Sequence, residues 1–342
     1  MESVEQDRRP DEAGDDALAR AREVAETLRG RLREAIVGRD EVIDRVIIAL
    51  LAGGHVLLED YPGSGKTILA RALGESIDAE PDERRIVPFR RIQFTPDLLP
   101  SDITGVSVFD PDRGTFEFMP GPVFAHVVLA DEINRTSPKV QSALLEAMAE
   151  RQVTVDNVTH PLDELFLVIA TQNPLGMAGT FPLPAPQLDR FLFRITMTHI
   201  ARDAELEVVA SFRRRLHPEF AGGPRVRQQD VLAARAAIES GIHVAREVQE
   251  CLVDVARAVR ADPRVALGIS TRALVQAVPA LQAHALLAGR DWVGADDLEA
   301  LAVPLFAHRL MLVAGAADAP DVVRDALADP LEALARATLR RS

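Results

Sequence analysis

Leu57-Leu58-Glu59-Asp60-Tyr61-Pro62-Gly63-Ser64-Gly65-Lys66-Thr67 decides the reading of this 342-residue chain. The run His55-Val56-Leu57-Leu58 is short and apolar, ends in acids and a Pro-Gly turn, and gives way to a helical pattern over Thr67–Ile77. Strand, glycine-rich loop and helix in that order make a concave anion site. Loop amides and the helix N-terminus face a phosphate, a lysine ammonium reaches the outer phosphates, and the adjacent hydroxyl suits Mg²⁺. Pro62, Gly63, Ser64, Gly65, Lys66 and Thr67 supply those parts, although the strict pattern also asks for a glycine where Asp60 stands. The lysine is a signal in itself, because Lys66 and Lys139 are the only lysines among 39 basic residues. Arginine does not replace a compact ammonium where a phosphate is approached as a point charge.

Working outward, further short apolar runs occur at Ile92–Phe94, Val127–Ala130, Leu165–Ala170 and Phe191–Ile195, most of them interleaved with helical stretches. Near-continuous apolar strands alternating with helices predict an α/β fold with a parallel sheet covered on both faces. A phosphate loop needs a second strand ending in a carboxylate for the Mg²⁺ shell and, for hydrolysis, a base that orients water. Val127-Val128-Leu129-Ala130-Asp131-Glu132 is such a strand, with Asp131 holding the metal through water and Glu132 polarising the attacking water. Leu167–Pro174 is another apolar strand with a small polar end, where Asn173 is placed to contact the γ-phosphate or the water. Arginines stand at Gln187-Leu188-Asp189-Arg190-Phe191 and at Gly268-Ile269-Ser270-Thr271-Arg272, the second at an expected helix start.

Residues 1–16 carry seven acids against two arginines and read as a disordered acidic tail. Helical spacing of apolar residues follows over Leu18–Ile36 and Val42–Leu51, broken at Val37-Gly38. Alternating residues around Asp110–Gly114 predict a projecting hairpin over 106–118, and a second is expected over 152–162. Strand patterns stop near residue 200, giving a core over 17–200 and an all-helical domain over 201–342. Acids outnumber bases 52 to 39, for a net charge of -13, so the surface repels a phosphate backbone at long range. Thirteen Phe, one Tyr and one Trp leave few rings for stacking bases. The one cysteine, Cys251, can make neither an internal disulfide nor a multi-cysteine metal site. It sits in a helical pattern as a small buried hydrophobe, and the expected compartment is the reducing cytoplasm. No apolar run approaches the ~18 residues of a membrane span. The eight histidines are scattered, which fits structural or surface roles.

Together these strings resemble the MoxR family of AAA+ ATPases, in the family's order and from about Ile36 to Ala316. To the loop, Ala130–Arg135, Ala170–Pro174 and Gln187–Phe191 add Gln93-Phe94-Thr95-Pro96-Asp97-Leu98-Leu99-Pro100-Ser101-Asp102. The resemblance implies an AAA+ core with a five-stranded parallel sheet and a smaller helical lid, ATP and Mg²⁺ lying between them, and neighbours in a hexameric ring completing each site. It implies that Val37 and Gly38 lie against adenine, that Pro62 to Ile68 hold the phosphates, and that Thr67 and Asp131 hold the metal. Glu132, Asn173, Arg190 and Arg272 become the water-activating acid, first sensor, arginine finger and second sensor, with Gln93 a polar switch restraining Glu132. The hairpins face a pore or partner. The function implied is chaperone-like remodelling of protein clients or metal-cofactor proteins, alongside a separate protein with a von Willebrand factor A domain.

Three rivals remain. A nucleic-acid motor of the related helicase branch shares both hairpins, but the acidic charge argues against it despite Arg113 and Arg151. A metal-chelatase motor subunit differs only in its partner. A non-hydrolysing nucleotide-gated scaffold is disfavoured by the intact set of site residues.

Overall fold

The computed structural model describes residues 10–59, 63–78, 86–172, 180–211, 223–315 and 318–339. Asp60, Pro62 and Asn173 lie outside the described residues, as do residues 1–9 of the expected tail.

The five apolar runs become five parallel strands, β1 (Val56–Glu59), β2 (Val87–Gln93), β3 (Ala125–Asp131), β4 (Leu167–Gln172) and β5 (Phe193–Thr196). Their spatial order is β5-β1-β4-β3-β2. The central strands β1, β3 and β4 are buried almost throughout, because helices cover both faces. Strand alternation divides each apolar run between two layers. Val56, Leu58, Val127, Leu129, Leu167 and Ile169 join the cluster that includes the helices Pro10–Ala35, Asp40–Leu51 and Lys66–Glu75. Leu57, Val128 and Val168 join the one that includes the helix Pro138–Glu150.

Since the strands are parallel and in register, Glu59, Gln93, Asp131, Gln172 and Thr196 line one edge of the sheet. The opposite edge is pinned at His55, whose Nδ1 accepts from Val168 N–H at 3.0 Å and whose Nε2–H donates to Met148 O at 3.3 Å. Burial pulls this imidazole down to about 4, so the ring is neutral, as the pair of bonds requires.

Both hairpins are present, as Gly105–Asp110 with Thr115–Pro120 and as Gln152–Val155 with Val158–Pro161. The Phe118 ring stacks on the His160 imidazole at 3.8 Å, joining one hairpin to the other.

Beyond residue 200 come the helices Arg202–Ala210, Gln228–Gly241, Arg246–Ala261, Thr271–Leu287, Ala295–Phe306 and Ala319–Leu339. The expectation of an all-helical region needs correction in two places. Val226–Arg227 pairs in parallel with Ile77–Asp78, and Val265–Leu267 pairs antiparallel with Met311–Leu312. One apolar cluster also runs across the boundary expected near residue 200. Helix Gln228–Gly241 packs on Pro10–Ala35, and Arg235 donates to Leu50 O at 2.9 and 2.6 Å, closing the end of Asp40–Leu51. The expected disordered tail is corrected as well, since the first helix begins at Pro10 and residues 10–16 belong to it. Cys251 is buried as expected, and its thiol is pushed up to about 11 by burial. Among the described residues no helix is long and apolar enough to cross a membrane.

Candidate active site

The loop after β1 is shaped by its glycines. Gly63 and Gly65 take φ of +90° and +94°, a left-handed backbone that disfavours a side chain. A β-carbon at Gly65 would also come within 2.9 Å of Ile36 Cδ1. Helix Lys66–Glu75 starts at once, with no side-chain hydrogen bond capping its N-terminus, so the positive end of its dipole faces the loop. The Ser64 hydroxyl is buried and has no hydrogen-bond partner among the described residues. An orphan hydroxyl beside a positive helix end fits a phosphate group.

Gly63, Ser64, Gly65 and Ile68 line a cavity of about 520 Å³ whose other walls include Ile36, Val37, Met197, Ile200, Val208 and Val209. Its apolar end suits a base, and Val37 is part of its lining. Gly38 acts differently. At φ +69° it leaves room for helix Arg202–Ala210, where an added β-carbon would meet Ala204 Cβ at 2.7 Å. That helix buries none of its residues, and Glu205, Val208 and Val209 face the cavity. No periodicity in the sequence marked it as a wall of the site. No residue of 257–330 lines this cavity. The cavity lies between the core loops and helix Arg202–Ala210, the first helix of the region expected as the lid.

Along the same edge of the sheet, β3 ends in the acid pair. Asp131 Oδ1 accepts the Thr171 hydroxyl at 2.7 Å, and Oδ2 receives Arg91 Nη2 at 2.6 Å. Glu132 adopts φ +60°, an uncommon backbone for a residue with a side chain, and its N–H donates to the same Thr171 oxygen at 2.8 Å. Its carboxylate Oε2 accepts Gln93 Nε2 at 3.2 Å and meets Arg135 Nε at 3.1 Å. Arg91 also donates to Gln93 Oε1 at 2.7 Å, so a continuous chain of bonds runs from Asp131 to Glu132. Thr67 and Asp131 present the hard oxygen donors that Mg²⁺ takes, and Asp131 already draws a cation, the Arg91 guanidinium, to its outer oxygen. Thr171, Arg91 and Arg135 escaped the sequence reading, although Thr171 stands within the string that pointed to Asn173.

The two arginines lie elsewhere. Leu192 N–H donates to His55 O at 2.8 Å and Phe193 pairs with Val56, so Arg190 sits at the edge of the sheet where β1 begins. The phosphate loop follows where β1 ends, a strand length on the order of 13 Å away. Arg190 Nη1 donates to Leu145 O at 2.5 Å. Arg272 is on that same side, exposed on helix Thr271–Leu287, whose capping Ser270 hydroxyl donates to Asp189 at 3.3 Å. The structure brings Gly63 to Ile68, Asp131, Glu132 and Gln93 to one edge, and Arg190 and Arg272 to the other.

Comparison with known proteins agrees with this architecture. Residues 55–193 match the ATPase family associated with various cellular activities, and residues 257–330 match an AAA lid domain. The chain is 45% identical to the uncharacterized protein YeaC of Bacillus subtilis, over 82% of this chain and 85% of that one. It is 37% identical to chaperone MoxR1 of Mycobacterium tuberculosis, over 82% and 74% of the two chains, and 31% identical to protein MoxR of Paracoccus denitrificans, over 86% and 89%. The crystal structure of a candidate ATPase from Cytophaga hutchinsonii superimposes with a TM-score of 0.82 at 34% identity, covering 93% of this chain and 97% of that one. A phosphate loop and an acid pair on one edge of a sheet ordered β5-β1-β4-β3-β2, with these matches along the chain, assign it to the MoxR family of AAA+ ATPases.

Proposed function

We propose that the protein is a Mg²⁺-dependent, ATP-hydrolysing motor whose sites are completed between subunits of a ring. The observation that carries this reading is the division of the site residues between opposite edges of the sheet. The phosphate loop with Asp131 and Glu132 is on one, and Arg190 with Arg272 on the other. Two different, complementary faces make a head-to-tail interface, and such interfaces generate closed rings when the rotation closes. A hexamer is the ring proposed, acting in the cytoplasm.

Within one subunit, the amides of Gly63 to Lys66 and the Lys66 ammonium bind and orient the β- and γ-phosphates, while Val37 and its apolar neighbours take the base. Thr67, and Asp131 through water, would hold Mg²⁺, which would supply positive charge against the phosphate oxygens. Glu132 accepts a hydrogen bond from the attacking water and orients it, and Asn173 contacts the γ-phosphate or that water. Gln93 restrains the Glu132 carboxylate until the site is loaded. Arg190 and Arg272 reach the next subunit's nucleotide and stabilise charge in its transition state.

The work done with the ATP is remodelling of a protein client, assisted by a separate partner with a von Willebrand factor A domain. One relative bears the name chaperone. The hairpin Gly105–Pro120 exposes Val106, Val108, Phe109, Phe116 and Met119 and carries one arginine among its acids, a surface chemistry suited to polypeptide rather than a phosphate backbone.

Subunit mixing tests the division of the site. Arg190→Ala and Glu132→Gln should each be inactive alone. Together they should regain phosphate release, from interfaces with an intact Glu132 on one side and an intact Arg190 on the other. Co-assembled variants with no recovered release at any ratio refute the reading.

A further inference from the structure

Arg190 is gripped on both sides by the C-terminal helices. Arg309 closes the short turn Ala307–Arg309 after helix Ala295–Phe306, and its side chain is 1% exposed. Its Nη1 donates to Asp189 Oδ1 at 3.1 Å, immediately before Arg190, and its Nη2 donates to Phe191 O at 2.8 Å, immediately after. His308 Nε2–H donates to the same Phe191 carbonyl at 3.0 Å. Arg309 Nη2 also reaches Gln276 Oε1 at 3.1 Å, on the helix that carries Arg272. Asp189 completes the loop by accepting the Ser270 hydroxyl at 3.3 Å, and Ser270 Oγ in turn caps that helix by accepting Ala273 N–H at 3.0 Å. One buried guanidinium thus joins the segment before the finger, the segment after it and the helix of Arg272.

A buried ion pair is a poor source of stability, because desolvation of both charges cancels most of their attraction. Arg309 Nε has no partner among the described residues, which adds to that cost, and burial pulls the guanidinium down to about 10. An apolar side chain would hold helices together more cheaply. What the arginine supplies, and an apolar residue does not, is directional bonding to three fixed acceptors.

We propose that Arg309, acting through Asp189, is a positioning residue that locks Arg190 and Arg272 into a single unit presented to the neighbouring subunit. The inference rests on the reading of both arginines as acting across subunits. Where the C-terminal helices sit then sets how well a subunit activates its neighbour, while its own phosphate loop, at the far edge of the sheet, is untouched.

The test uses the full chain and Asp189→Asn, which keeps the side chain's shape at a partly exposed position, alongside Arg309→Lys. Asp189→Asn should bind ATP within about two-fold of the parent by calorimetry. Its kcat should fall on the order of 10- to 100-fold, the loss expected when a charged group is misplaced by about an ångström. Mixing distinguishes positioning from general damage. Asp189→Asn with Glu132→Gln should regain turnover, and Asp189→Asn with Arg190→Ala should not, because both of those variants fail on the same side of the interface. Arg309→Lys should behave likewise with a smaller loss. Recovery with Arg190→Ala, recovery with neither, or an unchanged kcat in both variants overturns the proposal. If the control mixture of Glu132→Gln with Arg190→Ala stays inactive in co-assembled rings, the reading across subunits fails and the proposal falls with it. If that control recovers, the remaining mixtures judge Arg309 alone.

Discussion

Replacing Thr171 by valine keeps the volume and branching of the side chain and removes one oxygen. That oxygen bridges the two acids, donating to Asp131 Oδ1 at 2.7 Å and accepting from Glu132 N–H at 2.8 Å, and the residue is fully buried. A hydrogen bond to a charged group contributes about 1.5–3 kcal/mol, and a buried N–H left without a partner costs about 1–3 kcal/mol. Because Arg91 still holds the other Asp131 oxygen, the two losses do not simply add, and the expected destabilisation is about 2–4 kcal/mol. For a chain of this size that lowers Tm by roughly 3–6 °C. Glu132 also loses the bond that supports its left-handed backbone, a conformation costing about 1–2 kcal/mol. It should relax away from the water-orienting position, and kcat should fall about 10- to 100-fold while ATP affinity stays with the phosphate loop. Scanning calorimetry, ATP titration and phosphate-release rates measure the three quantities. Thr171→Ser, which keeps the hydroxyl, should remain near the parent in all of them. Parental Tm and kcat for Thr171→Val would refute the bridging role. Equal losses in Thr171→Ser and Thr171→Val would assign the effect to methyl packing instead.

Glu132→Gln should bind Mg-ATP about as well as the parent yet release almost no phosphate, since the amide keeps the shape but not the charge that orients water; release within a few-fold of the parent would count against Glu132. Lys66→Ala should weaken ATP binding itself, and calorimetry showing unchanged affinity would remove the phosphate-loop assignment. Arg272→Ala should be rescued by Glu132→Gln and not by Arg190→Ala; the reverse pattern would return Arg272 to its own subunit's nucleotide. Stability should depend on pH through His55 and His308, which burial pulls down from 6.5 to about 4 and about 3. Their folded values lie below the unfolded one, so their contribution is complete above pH 6.5 and is lost as pH falls toward 4. The slope is up to about 1.4 kcal/mol per pH unit for each ring. Denaturant unfolding across that range, compared with His55→Gln, checks the sign: a flat profile in the parent would mean that neither ring stays neutral when folded.

What the sequence alone determined is the part of the molecule governed by short range. A strand buried on both faces must be apolar along its length, so β1, β3 and β4 stood out as uninterrupted runs. The left-handed turns at Gly63 and Gly65 call for glycine, and a phosphate calls for Lys66 where arginine serves elsewhere, so the loop was legible residue by residue. The acid pair was legible for the same reason, as a polar end to an apolar strand. Local composition misled at the N-terminus, where the first helix begins at Pro10, inside the stretch whose composition suggests disorder. Tertiary structure decided the rest. Arg91, Gln93 and Thr171 reach Asp131 and Glu132 only because the parallel register sets Gln93 beside Asp131 and Ala170 beside Ala130. Helix Arg202–Ala210 closes the base cavity only because Gly38 lets Ala204 approach. The placement of Arg272 beside Arg190, at the edge remote from its own phosphate loop, depends on how the C-terminal helices dock through Arg309 and Ser270. Bonds between groups 80 to 120 residues apart leave no periodicity in the sequence between them.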